Sequence, residues 1–316
     1  MELLLVPVII VERQNMFNPE EYIIFEGLSG SHLYGTATEE SDVDTRGVVI
    51  PPVDVLLDPF NEFDVKDSFE ENDDRALYSL KKFFKLCADN NPNVLELLFV
   101  PENKTLISSP QWEHLRRNRS LFVSKNVKYR FLGYAISQLK KIERHRDWFL
   151  NPPTHKPTRK EFGLRESSLV PDTVMQNIFG ISQDLFIKEY RDEFANERDY
   201  REAKRNWDNY NRWQEERNPK RRASEEKYGL DTKCASHLFR LMYEGQQLLQ
   251  TGEIDFPLAV ADELLAIKNG KYTYEEVCIK AASIEKEFDI WYDESKLRHS
   301  PDRKKLSKLY FELLEM

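Results

Sequence analysis

Two aspartates separated by one residue, Asp42 and Asp44, are the side chains best placed to do chemistry. They open an alternating run, Asp42-Val43-Asp44-Thr45-Arg46, that continues into the apolar Gly47-Val48-Val49-Ile50. Successive side chains of a β-strand point to opposite faces, so Asp42, Asp44 and Arg46 are expected to share one face of a strand. Like charges that close repel. A divalent cation between them removes the cost, and hard carboxylate oxygens suit Mg²⁺. Upstream stands Gly30-Ser31. Glycine permits a tight turn. The backbone N–H groups of such a turn, or of a helix starting there, make a concave anion site, and the serine hydroxyl adds a donor. A phosphate cradle and a metal clamp side by side are what a metal-bridged nucleoside triphosphate requires.

The elements that must position these groups are legible around them. Tyr22-Ile23-Ile24-Phe25-Glu26 is an apolar run of strand length before the Gly-Ser turn, and Pro51-Pro52 ends the second run because proline cannot donate to a sheet ladder. Residues 53–72 are acidic and turn-rich. Asp73 to Ser79 reads as a short strand entering a helix whose Leu80, Phe83, Phe84 and Cys87 lie on one face, and Asn90-Asn91-Pro92 stops that helix. Asn93 to Pro101 is apolar and fits a short helix or a strand equally. Beyond about residue 110 helical spacing dominates, over 129–147, 182–217, 231–251, 274–295 and 305–315, with a proline-rich loop at 151–157 and Gly252 and Gly270 as helix stops. The expected architecture is α/β in the α+β sense, a small mixed-sheet head over 1–110 and a mostly helical domain over 111–316. A charged helical insertion is expected at about 185–227.

Composition limits what such a chain can be. It has 316 residues and a formal net charge of −9, so any nucleic-acid surface must be local rather than general. Cys87, Cys234 and Cys278 are far apart and form no CxxC pair, which argues against a disulfide framework or zinc knuckle and fits a reducing, cytoplasmic setting. The run from Leu3 to Val11 is short and contains Pro7, which suits a strand or core segment rather than a membrane span, and its acidic start is unlike a signal peptide. No membrane association is expected.

The wording GSHLYGTATEESDVDTRGV, followed by LYSLKKFFKLCADNNPNVLELLF, resembles the DNA polymerase β-type nucleotidyltransferase superfamily. Within it the nearest likeness is to the predicted nucleotidyltransferases associated with RNA repair. The resemblance implies Mg²⁺-dependent transfer of a nucleoside monophosphate from an NTP such as ATP to a hydroxyl, with release of pyrophosphate. Two Mg²⁺ ions, or Mn²⁺ in their place, would be held by Asp42 and Asp44. It also implies a third carboxylate on a neighbouring strand. Asp74 is the choice, because it opens a strand after a polar loop long enough to return beside Asp42 and Asp44. Asp73 would replace it under a one-residue register shift, and Glu96, inside Val-Leu-Glu-Leu-Leu, is the other candidate. Arg46 could contact a phosphate or form a structural ion pair. Gly30 and Ser31 would bind phosphates.

A second cluster lies far along the chain. Asp231 or Thr232 can cap a helix on which Lys233, His237 and Arg240 fall on one face. Cations near a helix N-terminus are unfavourable alone, so an anionic partner is expected, and a triphosphate fits. The alternative is a solvated charged face. Basic and aromatic residues from Lys140 to Lys160 suggest contact with a polynucleotide, with Tyr134, Ile142 and Trp148 as core. Together with these basic patches, the family resemblance implies an RNA 3′ end, tRNA-like, as the acceptor. The rival readings are the same transfer to a protein or small-molecule hydroxyl, and a non-catalytic nucleotide- or RNA-binding module.

Overall fold

The computed structural model describes residues 17–60, 62–67, 74–167 and 188–316. The run from Leu3 to Val11, and Asp73, lie outside the described residues. The apolar run after Tyr22 forms β1, Ile23–Leu28. The chain then turns into a one-turn helix α1, Gly30–Tyr34. β2, Thr45–Val49, returns antiparallel, with Leu28 opposite Thr45 and Ile23 opposite Val49. Pro51-Pro52 leads into α2, Val53–Leu57. β3, Val65–Lys66, pairs antiparallel with β4, Arg75–Ser79. β4 in turn runs parallel to β2, with Thr45 opposite Arg75. Ser79 caps α3, Leu80–Ala88, by accepting from the Lys82 amide at 3.1 Å.

The stretch left open between helix and strand resolves as α4, Pro92–Leu95, followed by a 3-10 turn, Glu96–Phe99. β5, Thr105–Ser108, pairs with the other side of β1 and completes a five-stranded sheet in the order β3-β4-β2-β1-β5. Helices follow: α5, Pro110–Arg117; α6, Asn126–Leu150; α7, Lys188–Glu216; α8, Pro219–Tyr228; α9, Thr232–Thr251; α10, Ala261–Lys268; α11, Tyr274–Glu294; and α12, Arg303–Glu315. The fold is thus α+β, a mixed sheet followed by a mostly helical region. Among the described residues no helix is long and apolar enough to cross a membrane.

The second strand starts later than the alternation implied. It begins at Thr45, not at Asp42, because β1 ends at Leu28 and the chain turns away at Gly30. Residues 42 and 43 therefore have no strand to pair with, and the two aspartates lie on the approach to β2 rather than within it.

The chain divides into two compact units: residues 1–136, 236–266 and 279–316 form one, and residues 137–235 and 267–278 the other. The first holds the sheet. Its core places Phe25 of β1 flat against Trp112 of α5, ring centroids 3.9 Å apart, with Phe83 of α3 edge-on to the same indole at 5.7 Å. Val48, Leu77 and Leu80 are fully buried in the same unit. The second unit is built on an aromatic cluster: Trp148 of α6 meets Tyr210 and Trp213 of α7, and its indole N–H donates to Asn206 at 2.8 Å. Arg159 grips the buried Glu197 with two hydrogen bonds and, against the cost of burial, holds that carboxyl down at about 2.

Candidate active site

The site is assembled where β1 ends and β2 begins. The Ser29 amide donates to the Asp44 carbonyl at 2.9 Å, one ladder step beyond the Leu28–Thr45 pair. This bond fixes the Asp44 backbone beside the residue preceding Gly30. Gly30 itself has φ +60°, a conformation that side chains resist. A Cβ placed on it would lie 3.0 Å from Asp44 Cγ and overlap Oδ2. The bare face of the glycine is therefore what receives the Asp44 carboxylate, and the Gly-Ser turn and the second aspartate form one constellation.

Asp42 is exposed, and the loop that carries it is tied back to α1. The Ser41 amide donates to the Thr38 carbonyl at 3.0 Å, and Ser41 Oγ accepts from the Thr38 amide at 2.9 Å. His32 Nε2 lies 3.5 Å from the Ser41 carbonyl. Ser31 is half-buried in the first turn of α1.

The third expected acid arrives from β4. The Thr45 amide donates to the Asp74 carbonyl at 3.2 Å, so Asp74 precedes β4 at the same end of the sheet at which Asp44 precedes β2. Arg46 reaches across: Nη1 donates to the Thr45 carbonyl at 2.8 Å and to the Asp74 carbonyl, and Nη2 donates to Asp74 Oδ1 at 2.7 Å. Of the two roles open to Arg46, the ion pair is the one present here, and the Asp74 side chain is 66% exposed within it.

Residues 9–152 match the RNA repair pathway DNA polymerase beta family, RlaP. The matched segment contains every strand found among the described residues, and Gly30, Ser31, Asp42, Asp44, Arg46, Asp74 and Glu96. A protein of Enterobacteria phage T4, described as an uncharacterized 38.9 kDa protein in the nrdC-mobD intergenic region, is 28% identical over 283 residues, 78% of this chain and 83% of that protein. No solved structure matches.

The cationic stripe expected on α9 divides. Lys233 is exposed and belongs to the second unit. His237 is half-buried, and Arg240 is buried. Nη1 of Arg240 donates to Glu96 at 2.8 Å and to both oxygens of Glu244 at 2.9 Å. Nη2 donates to Asn93 at 3.3 Å and to His237 Nε2 at 2.7 Å. Arginine only donates, so that histidine nitrogen is the acceptor and carries no proton. Arg240 is therefore not a cation presented to a phosphate. A guanidinium taken out of water needs negative charge and acceptors for its N–H groups, and the oxygens of Glu96 and Glu244 together supply them.

The same network occupies Glu96. Its carboxylate accepts from the Tyr34 hydroxyl at 3.0 and 3.1 Å as well as from Arg240. Burial raises the Glu96 carboxyl above its ordinary range against the pull of Arg240, and pushes Glu244 up to about 8. Glu96 is a structural partner, not a carboxylate at the strand ends.

Two residues of the site's frame escaped the sequence reading. Glu26 on β1 is buried and accepts from Arg75 Nε at 2.6 Å, from Arg75 Nη2 at 2.9 Å and from Thr45 Oγ1 at 3.1 Å, pinning the starts of β2 and β4 on the face opposite Arg46. Its signal was a charge inside an apolar run. Glu244 lies four residues after Arg240, the spacing of a helical ion pair.

Among the described residues, His145, Glu225 and Asp231 in the second unit place ligand-type atoms within 4.8 Å of one another. Glu225 is paired with Arg217, and Asp231 with Arg221 at 3.3 Å. Two guanidiniums already balance the two carboxylates, so a metal ion there would add like charge.

Proposed function

We propose that this chain is a divalent-metal-dependent nucleotidyltransferase that joins a nucleoside monophosphate from an NTP to a hydroxyl, with an RNA end as acceptor. The observation that carries the reading is the Asp44 carboxylate seated against the bare face of Gly30, with the Asp74 carbonyl bonded to Thr45, the residue that follows Asp44. Asp44 and Asp74 then stand at the same end of the sheet as the Gly-Ser turn.

The donor set fits the ion. Asp42, Asp44 and Asp74 offer only carboxylate oxygens, the hard ligands that Mg²⁺ and Mn²⁺ take. Divalent ions held there would supply charge neutralisation for the triphosphate and activation of the acceptor hydroxyl. The chain's own groups orient the reactants. The amides following Gly30 and the Ser31 hydroxyl hold phosphate oxygens, and Asp42 and Asp44 fix the metal-bearing end of the triphosphate against that turn. Arg46 is paired with an exposed carboxylate, and such pairs hold weakly, by about 0–1 kcal/mol. An incoming metal ion can therefore take Asp74 and leave Arg46 to a phosphate. No cation from α9 is needed.

The test is incubation with each of the four NTPs, labelled at the α-phosphate, with Mg²⁺ and pools of RNA, protein and small molecules. Label in RNA with stoichiometric pyrophosphate, lost in Asp44→Asn, is expected. Label in protein alone would refute the RNA acceptor, and nucleotide binding without pyrophosphate would refute catalysis.

A further inference from the structure

The turn that carries Gly30 and Ser31 cannot hold itself in place. α1 is five residues long, far below the length at which a helix is stable alone. Its near end is tied by the Ser29–Asp44 bond and its middle by the buried Leu33, and its far end, Tyr34, is gripped separately. Three groups grip it within the first compact unit. The Leu258 amide donates to the Tyr34 carbonyl at 3.2 Å. The Arg240 guanidinium lies over the phenol ring, 4.4 Å from its centroid. The Tyr34 hydroxyl donates to Glu96, whose Oε2 also accepts from Arg240. Behind α1, Gly35 approaches Pro257 so closely that a Cβ on it would stand 2.8 Å from the proline Cβ.

We propose that Tyr34, Glu96 and Arg240 form a positioning bridge that fixes the Gly30-Ser31 turn and thereby sets the affinity of the site for a triphosphate. The bridge touches no nucleotide. It works through α1, with Glu244, Asn93 and His237 completing the hydrogen bonds that keep Arg240 in place. This explains why a helix remote in sequence delivers an arginine to the head and then buries it. The proposal rests on the nucleotide-site reading of Gly30-Ser31.

The experiment uses the full chain and the variants Tyr34→Phe, Glu96→Gln and Glu96→Ala, with two measurements. The first is amide hydrogen exchange of residues 30–36 without ligand. The second is calorimetric affinity for MgATP and for magnesium tripolyphosphate. Tyr34→Phe keeps the ring and loses one hydrogen bond, so exchange over 30–36 should quicken by up to about tenfold, and both affinities should fall by a similar factor. A glutamine carbonyl oxygen at the position of Glu96 Oε2 can accept from both Tyr34 and Arg240, so Glu96→Gln should stay near wild type while Glu96→Ala follows Tyr34→Phe. If Glu96→Ala does not fold, Tyr34→Phe against Glu96→Gln decides. Unchanged exchange in Tyr34→Phe, faster exchange with unchanged affinity, or a Glu96→Gln as impaired as Tyr34→Phe would each overturn the bridge. A wild-type chain that binds neither probe would sink the nucleotide reading instead, and with it the claim on affinity, while the exchange measurement still decides whether the bridge holds the turn.

Discussion

At the scale of single residues, the site depends on a side chain that is missing. Gly30 leaves room for the Asp44 carboxylate, and its backbone adopts a left-handed conformation. Gly30→Ala would meet both problems at once. The conformational cost alone is roughly 1–2 kcal/mol, and the new methyl would displace the carboxylate. The expected outcome is a lowered Tm together with loss of Mg²⁺-dependent MgATP binding, measured by thermal unfolding and calorimetry. Asp44→Asn separates the two effects. It keeps the shape and the backbone bond from Ser29 and removes the charge that a metal ligand needs. Turnover should fall by on the order of 10³-fold or more with Tm close to wild type, read as pyrophosphate release. The Gly-Ser and Asp-x-Asp spacing was legible in the sequence because the chemistry dictates residue type. That the glycine and the second aspartate are in van der Waals contact was not, because it depends on where β1 ends.

At the scale of elements, α9 shows what periodicity can and cannot tell. The helix was visible from its spacing, and so was the alignment of Lys233, His237 and Arg240 along one side. A helical wheel does not say what lies opposite. Arg240 faces Glu96 and Tyr34, so a stripe expected to meet an anion in solvent is at this position an internal ion pair. The start of β2 was misplaced for a related reason: alternation continues through Asp42, but pairing requires a partner that β1 does not provide.

The α9 network has a consequence for stability. Glu96 and Glu244 face one guanidinium, with Tyr34, Asn93 and His237 completing the surroundings and Arg46 acting on Glu96 from β2. Burial raises both carboxyls, Glu244 to about 8 from the ordinary 4.5. Between those values the folded chain keeps a proton that the unfolded chain has released. This contribution to stability is therefore full below about pH 4.5, declines as pH rises toward about 8 and is flat above it. Glu244→Gln should reduce the decline, leaving the part due to Glu96, so urea midpoints for wild type and variant should differ in slope between pH 5 and pH 8, the variant losing less. Equal slopes would mean that Glu244 is not the group holding the proton.

At the scale of the whole molecule, the difficulty is charge. A chain of net charge −9 repels a polyanion on average, so an RNA acceptor must be met by a local surface. Similarity to the phage protein covers 78% of this chain, more than the segment 9–152, so it extends into the helical part. Within that helical part, Lys140 and Arg144 are exposed one turn apart on α6, and the Arg144 guanidinium lies 5.6 Å from the centroid of the Trp148 ring. Lysine and arginine that neutralise phosphates release counterions, and each contact adds about 1 to the slope of log affinity against log salt. If RNA crosses this face, the double variant Lys140→Gln, Arg144→Gln should weaken RNA binding and lower that slope by about 2. MgATP affinity should be unchanged, because neither residue belongs to the nucleotide site. Fluorescence titrations of a labelled RNA over a range of KCl would measure both. A slope that does not change in the variant would move the RNA to another surface. A wild-type slope near zero would remove the polynucleotide from the reading and favour a small acceptor.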